Sequence, residues 1–252
     1  MDRYLFGGYV AGALFILGWV FGVTDTWIDS WLGAPRFQKY VALCGNDRNR
    51  ALATYEWNVS LGQALMRDIA HFEVALRNAY GATLSSIWTD PDHWILSPSS
   101  PVVMPIWRVV KRDGLKRGSD VNYFNRKSVD SAIKKCGGAN ALAGKVIAEL
   151  SFGFWRSLTT ASHEKSIWVP YLHGAYPKGT SRAAVDNDLR DINAVRNRIA
   201  HHEPVFDRRH NPTQEPDQIH ATVVRLMKMF SVDASQHIAT TSTVAAVLSQ
   251  RP

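Results

Sequence analysis

Residues 196–201 read Arg-Asn-Arg-Ile-Ala-His, which sets Arg196 five residues before His201 and His201 three before Pro204. A histidine titrates near neutral pH and can move a proton to or from a reacting oxygen. An arginine stays charged and can fork two hydrogen bonds onto a phosphate whose charge grows in the transition state. Those are the two side chains that metal-free cleavage of a phosphodiester needs most. A chain with 29 Lys+Arg and 9 His in 252 residues also produces such pairs at solvated helix ends by chance, so neighbouring sequence has to carry the reading.

The element that presents the hexad is a helix starting near Ser181, a good N-cap, with Asp186, Asp188 and Asp191 in its first turns. Val185, Leu189, Ile192, Val195 and Ile199 form its apolar stripe and leave Arg196 off the buried face. Five residues on an ideal helix amount to about 140° around the axis, so Arg196 and His201 do not meet on one straight helix. Either the helix ends or bends near Ala200, as Pro204 encourages, or the two residues converge with those of a second copy across a two-fold axis. His201, His202 and Glu203 are consecutive and diverge in direction, so they make no metal trio and no metal is expected.

The other elements also read as helical. From Asp47 to about Trp88 the apolar positions Leu52, Tyr55, Val59, Leu65, Ile69, Phe72, Leu76, Tyr80, Leu84 and Ile87 mostly step by three or four, as one face of a long helix does. Glu73 and Arg77 are four apart on that helix, a spacing that permits an ion pair, and Asn78 lies beside them. Residues 89–107, with four prolines, read as an irregular excursion between helices. A basic segment follows: between Arg108 and Lys135 nine basic residues stand against Asp113, Asp120 and Asp130, which accounts for most of the chain's net charge of +7. Lys111, Arg112, Lys116, Arg117, Arg126 and Lys127 are its candidate nucleic-acid contacts, with Tyr123 and Phe124 available to stack on bases. A third helix is expected from about Ala139 to Ala161, burying Val146, Ile147, Leu150, Phe154 and Leu158, with Trp155 and Trp168 in the core. His163-Glu164 is not part of a His-Glu-x-x-His pattern and carries no metal expectation.

The 46% hydrophobic content is enough to close a core, and the two cysteines, Cys44 and Cys136, exclude a small disulfide scaffold and fit a reducing compartment. Leu5 to Val23 is an uncharged run of 19 residues, a candidate transmembrane helix at the short end of the range. It lacks the basic n-region and the A-x-A-like site of a signal peptide. Residues 1–26 therefore read as a membrane segment or as upstream sequence from a misplaced start, and 27–252 as the folded domain. If the segment spans, Arg36, Lys39, Arg48 and Arg50 on its C-terminal side against Arg3 on the other put the domain on the cytoplasmic face, anchored to the inner side of the membrane.

Three blocks extend the hexad into a longer pattern. Leu189-Arg-Asp-Ile-Asn-Ala-Val-Arg-Asn-Arg-Ile-Ala-His-His-Glu-Pro-Val-Phe206 resembles the C-terminal signature of the Abi-like (abortive infection) proteins, a branch of the HEPN superfamily. Tyr55-Glu-Trp-Asn58 with Glu73-Val-Ala-Leu-Arg-Asn78 resembles the N-terminal signature, and Phe152-Gly-Phe-Trp155 with His163-Glu-Lys-Ser-Ile-Trp-Val-Pro-Tyr171 the middle. The resemblance runs from about Trp31 to the C-terminus. It implies an all-α, HEPN-like helical bundle, here with an irregular basic insertion, and RNA cleavage in phage defence or a toxin system, where a neutralising antitoxin would be a further partner.

Under that resemblance His201 deprotonates the ribose 2′-hydroxyl or protonates the leaving oxygen, and Arg196 stabilises the phosphorane-like transition state without metal or other cofactor. Asn197 orients His201 or the phosphate. Glu73, Arg77, Asn78 and His202 support the site, and a homodimer brings two hexads into one cleft. The alternatives are a non-catalytic RNA-binding or scaffold protein, and a membrane-tethered sensor whose N-terminal segment carries the function.

Overall fold

The computed structural model describes residues 26–207 and 211–252, with the side chains of Thr26, Val110, Lys111 and Arg112 outside the description. It is mostly helical. Among the described residues no helix is long and apolar enough to cross a membrane, and the candidate segment 5–23 lies outside them.

The chain divides into two compact units, Met1–Ala51 and Leu52–Pro252. In the first, α1 (Thr26–Leu32) and α2 (Ala34–Leu43) enclose Phe37, Tyr40 and Val41, and Arg48 pairs with Asp29 at 3.0 Å while lying over the Phe37 ring.

The second unit is built on α3 (Arg48–Ile87), a helix of 40 residues uninterrupted by proline. Its Leu61, Leu65, Ile69, Phe72, Leu76, Tyr80 and Leu84 are fully buried, at steps of three or four that make one stripe. Against this stripe pack α6 (Phe152–Ser157), α7 (Arg182–Ala200) and α8 (Pro216–Phe230), with Phe72 between Phe152 and Phe230. The chain closes with α9 (Val232–Thr241) and α10 (Val244–Leu248); Trp57 of α3 donates through Nε1 to the Val247 carbonyl at 2.7 Å.

Two expectations need correction. The helix expected from Ala139 to Ala161 is broken into α5 (Ala143–Glu149) and α6, with Leu150 and Ser151 extended between them. Leu150 and Phe152 are two residues apart, about 200° around a straight helix, yet both are buried. The extended Leu150–Ser151 link sets Leu150 independently of α6, which itself buries Phe152, Phe154 and Trp155. The basic insertion is also not irregular throughout. It contains an antiparallel hairpin, β1 (Trp107–Arg112) and β2 (Leu115–Asp120), followed by α4 (Tyr123–Lys135). Arg112 pairs with Leu115 across a two-residue turn in which Asp113 and Gly114 both have positive φ, 52° and 79°. That is the turn in which Asp-Gly matches the twist of a hairpin, a signal present in the sequence beside the more prominent charge.

The excursion before the hairpin is fastened by buried polar groups. Asn122, wholly buried, donates to the Pro101 and Met104 carbonyls at 2.7 and 2.8 Å, so its Oδ1 is left to accept from His163 Nε2 (2.8 Å) and Asn125 (3.3 Å). Asp120 closes the hairpin base by accepting from the Ile106 and Asn122 amides and from Arg126 at 2.6 Å.

Candidate functional site

The hexad occupies the last turn of α7. Ser181 caps the helix by accepting from the Ala184 amide, and the stripe Val185, Leu189, Ile192 and Val195 is buried. At the other end the helix stops after Ala200 in a left-handed turn: the His202 amide donates to the Ile199 carbonyl at 3.0 Å and the Glu203 amide to the Arg198 carbonyl at 2.9 Å. This is the hydrogen-bond pattern of a Schellman stop, in which the residue after the C-cap is usually glycine. Here it is His202, with φ 55°. The position where an apolar contact usually seals such a stop holds an ion pair instead, Arg198 to Glu203 at 2.9 Å, and Arg198 Nε donates to the Pro204 carbonyl.

The chain beyond the stop is tied back to α3. Buried Asn58 accepts from the Val205 amide at 2.9 Å and donates to the Glu203 carbonyl at 3.4 Å. Gly62 faces Ile199, which would lie 3.4 Å from a side chain placed there, so the two helices approach closely at this level. Asn58, Gly62, Gln63, Ile199, His202 and Val205 line a small, mainly apolar pocket of about 150 Å³ beside the stop. Sequence reading quoted Asn58 within a block but did not give it this role, since the bond spans 147 positions.

Arg196 is not off the buried face as expected. It is half-buried, and its Nε is enclosed with no hydrogen-bond partner among the described residues. Its guanidinium charge lies near Glu73 of α3. Partial burial pushes the Glu73 carboxyl above its ordinary value, while Arg196 and then Arg77 act to lower it. The expected Glu73–Arg77 ion pair is not among the described pairs; Arg77 donates to the Ala148 carbonyl at 3.3 Å, and its Nε is likewise enclosed and unpartnered. The structure thus brings Glu73, Arg77 and Arg196 together, with Asn78 exposed on the next position of α3.

His201 is the C-cap of α7, exposed, and its ring makes no hydrogen bond or ion pair among the described residues. Asn197 is also exposed and binds the His201 amide through its own carbonyl at 2.9 Å. No described bond joins Arg196 to His201. Ending the helix after Ala200 does not undo the 140° divergence, because His201 keeps a near-helical backbone at φ −94°, ψ 7°.

The basic candidates separate into different roles. Lys116 and Arg117 are exposed on β2. Lys111 and Arg112 are placed by register opposite Lys116 and Leu115, and their side chains lie outside the described residues. Arg126 is engaged by Asp120 and the Val103 carbonyl, which makes it a fastening for the insertion. Lys127 covers the Tyr123 ring at 4.8 Å, and Phe124 is exposed.

Among the described residues no group of three His, Cys, Asp or Glu is placed to hold a metal ion. Among the described residues neither Cys44 nor Cys136 is in a disulfide. In comparisons with known proteins no family model matches the chain, and no curated protein and no solved structure matches it either.

Proposed function

We propose that the chain is a metal-independent endoribonuclease of the Abi-like HEPN kind, acting in phage defence or as a toxin, with Arg196 and His201 as its catalytic residues. The observation that carries this reading is the end of α7. The Schellman stop leaves the His201 ring exposed and without a bond among the described residues, five residues from an arginine whose Nε likewise has no partner among them. His201 takes the proton of a ribose 2′-hydroxyl. The 2′-oxygen attacks phosphorus, the bond to the 5′-oxygen breaks as that oxygen takes a proton from the His201 imidazolium or from water, and Arg196 balances the charge on the phosphorane-like transition state. The products are a 2′,3′-cyclic phosphate and a 5′-hydroxyl end, so DNA resists.

Asn197 orients the phosphate or His201, and the Glu73 carboxylate, which faces both Arg196 and Arg77, holds the Arg196 guanidinium in place. Because Arg196 and His201 diverge within one chain, the working cleft in this reading is shared by two copies, with Arg196 of one facing His201 of the other. The test is incubation of the full chain with mixed RNA in EDTA beside His201→Ala and Arg196→Ala. Cleavage by the parent with cyclic-phosphate ends, reduced at least 100-fold in both variants, supports the reading. A parent that binds RNA and never cuts it favours a non-catalytic RNA-binding protein.

A further inference from the structure

The β1–β2 hairpin is an exposed projection, fastened at its base, whose two faces differ. Its base is held by Asp120, by the Val121 amide on the Ile106 carbonyl, and through Asp120 by Arg126. Its strands nevertheless bury almost nothing: Trp107 is 68% and Val109 72% exposed, and Lys116, Arg117 and Leu115 are exposed as well. Paired residues of an antiparallel ladder share a face, and alternate residues of a strand lie on opposite faces. The register therefore puts Trp107, Asp120, Val109, Gly118 and Lys116 on one face, Asp120 being engaged by Arg126, and Arg108, Arg117 and Ser119 on the other. Gly118 stands opposite Val109, so beside the Trp107 ring this face is flat and open.

The base of the hairpin also borders an open groove of about 670 Å³ lined by Arg108, Val109, Ser162, Glu164 and Lys165. Its one carboxylate, Glu164, is paired with Arg182 at 3.2 Å. Among the described residues no ion pair engages Arg108, Lys116, Arg117 or Lys165. An isolated two-stranded hairpin is marginal in water, and one that spends a tryptophan on solvent beside unpaired cations has the composition of a ligand surface.

We infer that this hairpin, with the groove at its base, is a binding platform for single-stranded nucleic acid, distinct from the hexad. A base stacks on Trp107 over the slot left by Gly118, with Lys116 on the same face, and the backbone crosses the edge of the hairpin so that its phosphates reach Arg108 and Arg117 on the other face and Lys165 in the groove. A flat apolar surface with separated cations fits a strand whose bases are splayed out; a protein partner would have to match three positive charges on the hairpin, Arg108, Lys116 and Arg117, and a fourth, Lys165, in the groove at its base. The inference deepens the ribonuclease reading by naming how its substrate is held, and rests on that reading only for RNA being the strand that is cut. Glu164 and Arg182 tie the groove to the start of α7, whereas the hexad is at its end. Nineteen residues at 1.5 Å each separate the two by about 28 Å, or roughly eight stacked nucleotides at 3.4 Å.

The experiment measures binding of labelled 20-nucleotide single-stranded RNA, single-stranded DNA and RNA duplex to the full chain carrying His201→Ala, so that no cleavage intervenes. Trp107→Ala is expected to weaken single-strand binding about tenfold. Arg108→Ala with Arg117→Ala should flatten the slope of log affinity against log salt by about 1.4. Lys228→Ala, on the exposed side of α8, should change neither, and all variants should melt as the parent does because the altered side chains are exposed. The two single strands should bind alike and the duplex more weakly. Unchanged affinity in both hairpin variants overturns the inference, as does tighter binding of duplex than of single strands. So does a change of oligomeric state in Trp107→Ala without loss of RNA affinity, which would assign the surface to a protein contact. Loss of cleavage in Arg196→Ala is read separately and leaves the binding result untouched.

Discussion

His202 is where local conformation and chemistry can be separated. It occupies a left-handed backbone position that costs a non-glycine residue on the order of 1 kcal/mol, and it borders the pocket beside the α7 stop. His202→Gly should therefore raise the melting temperature by about 2–4 °C, and cleavage should persist if His201 is the base. A loss of cleavage with raised stability would transfer the proton to His202. Asn58 is the opposite case. Asn58→Ala leaves the Val205 amide buried without its acceptor, and denaturant unfolding should register a loss of about 1–3 kcal/mol, with cleavage reduced because the segment after the hexad is no longer tied to α3.

Between the elements, His163 ties the segment after α6 to the start of α4 and so to the excursion. Asn122 accepts at Oδ1, which requires the His163 proton on Nε2, and Nδ1 is left facing the Thr160 hydroxyl at 2.8 Å. Burial holds this imidazole below its ordinary value, and the Arg108 charge acts in the same direction. A histidine with a depressed folded-state pKa is protonated more readily in the unfolded chain, so its contribution is complete above pH 6.5 and is lost as pH falls through 6.5 toward the folded value. Melting temperatures taken downward from pH 7.5 should therefore drop below pH 6.5. The drop should shrink in His163→Gln, whose amide can donate to Asn122 without titrating. An equal drop in the variant would place the titration elsewhere, with His93, half-buried and likewise held below its ordinary value by desolvation, the next candidate. Gly114 belongs to the same scale: Gly114→Val forces a β-branched residue to φ 79° and should open the hairpin, seen as faster proteolysis between Arg112 and Leu115 with little change in global melting.

For the whole molecule, the divergence of Arg196 and His201 makes the oligomeric state part of the mechanism. If the cleft is shared across a two-fold axis, mixing inactive Arg196→Ala with inactive His201→Ala subunits should restore cleavage in the mixed dimers, each of which carries one intact pair. Light scattering should give twice the chain mass of 28.2 kDa. A monomeric parent that cleaves RNA, or mixtures that stay inactive while exchanging subunits, would require both residues to work within one chain. Membrane attachment through residues 5–23 is a separate proposal, checked by flotation of the full chain with lipid vesicles.

The helical character and the placement of the hexad were legible in the sequence because they depend on local periodicity and local caps. The stripe along α3, the Ser181 cap and the end of α7 before Pro204 all follow from residues within a few positions of one another. The Asp113-Gly114 turn was equally local and was overshadowed by the charge around it. The break at Leu150–Ser151 was not legible, because it answers to a core that takes aromatic side chains from both sides of a would-be helix. Nor was the burial of Arg196 against Glu73, 123 residues earlier, or the bond from Asn58 to Val205. Those positions depend on which helices pack together, and only the tertiary structure decides that.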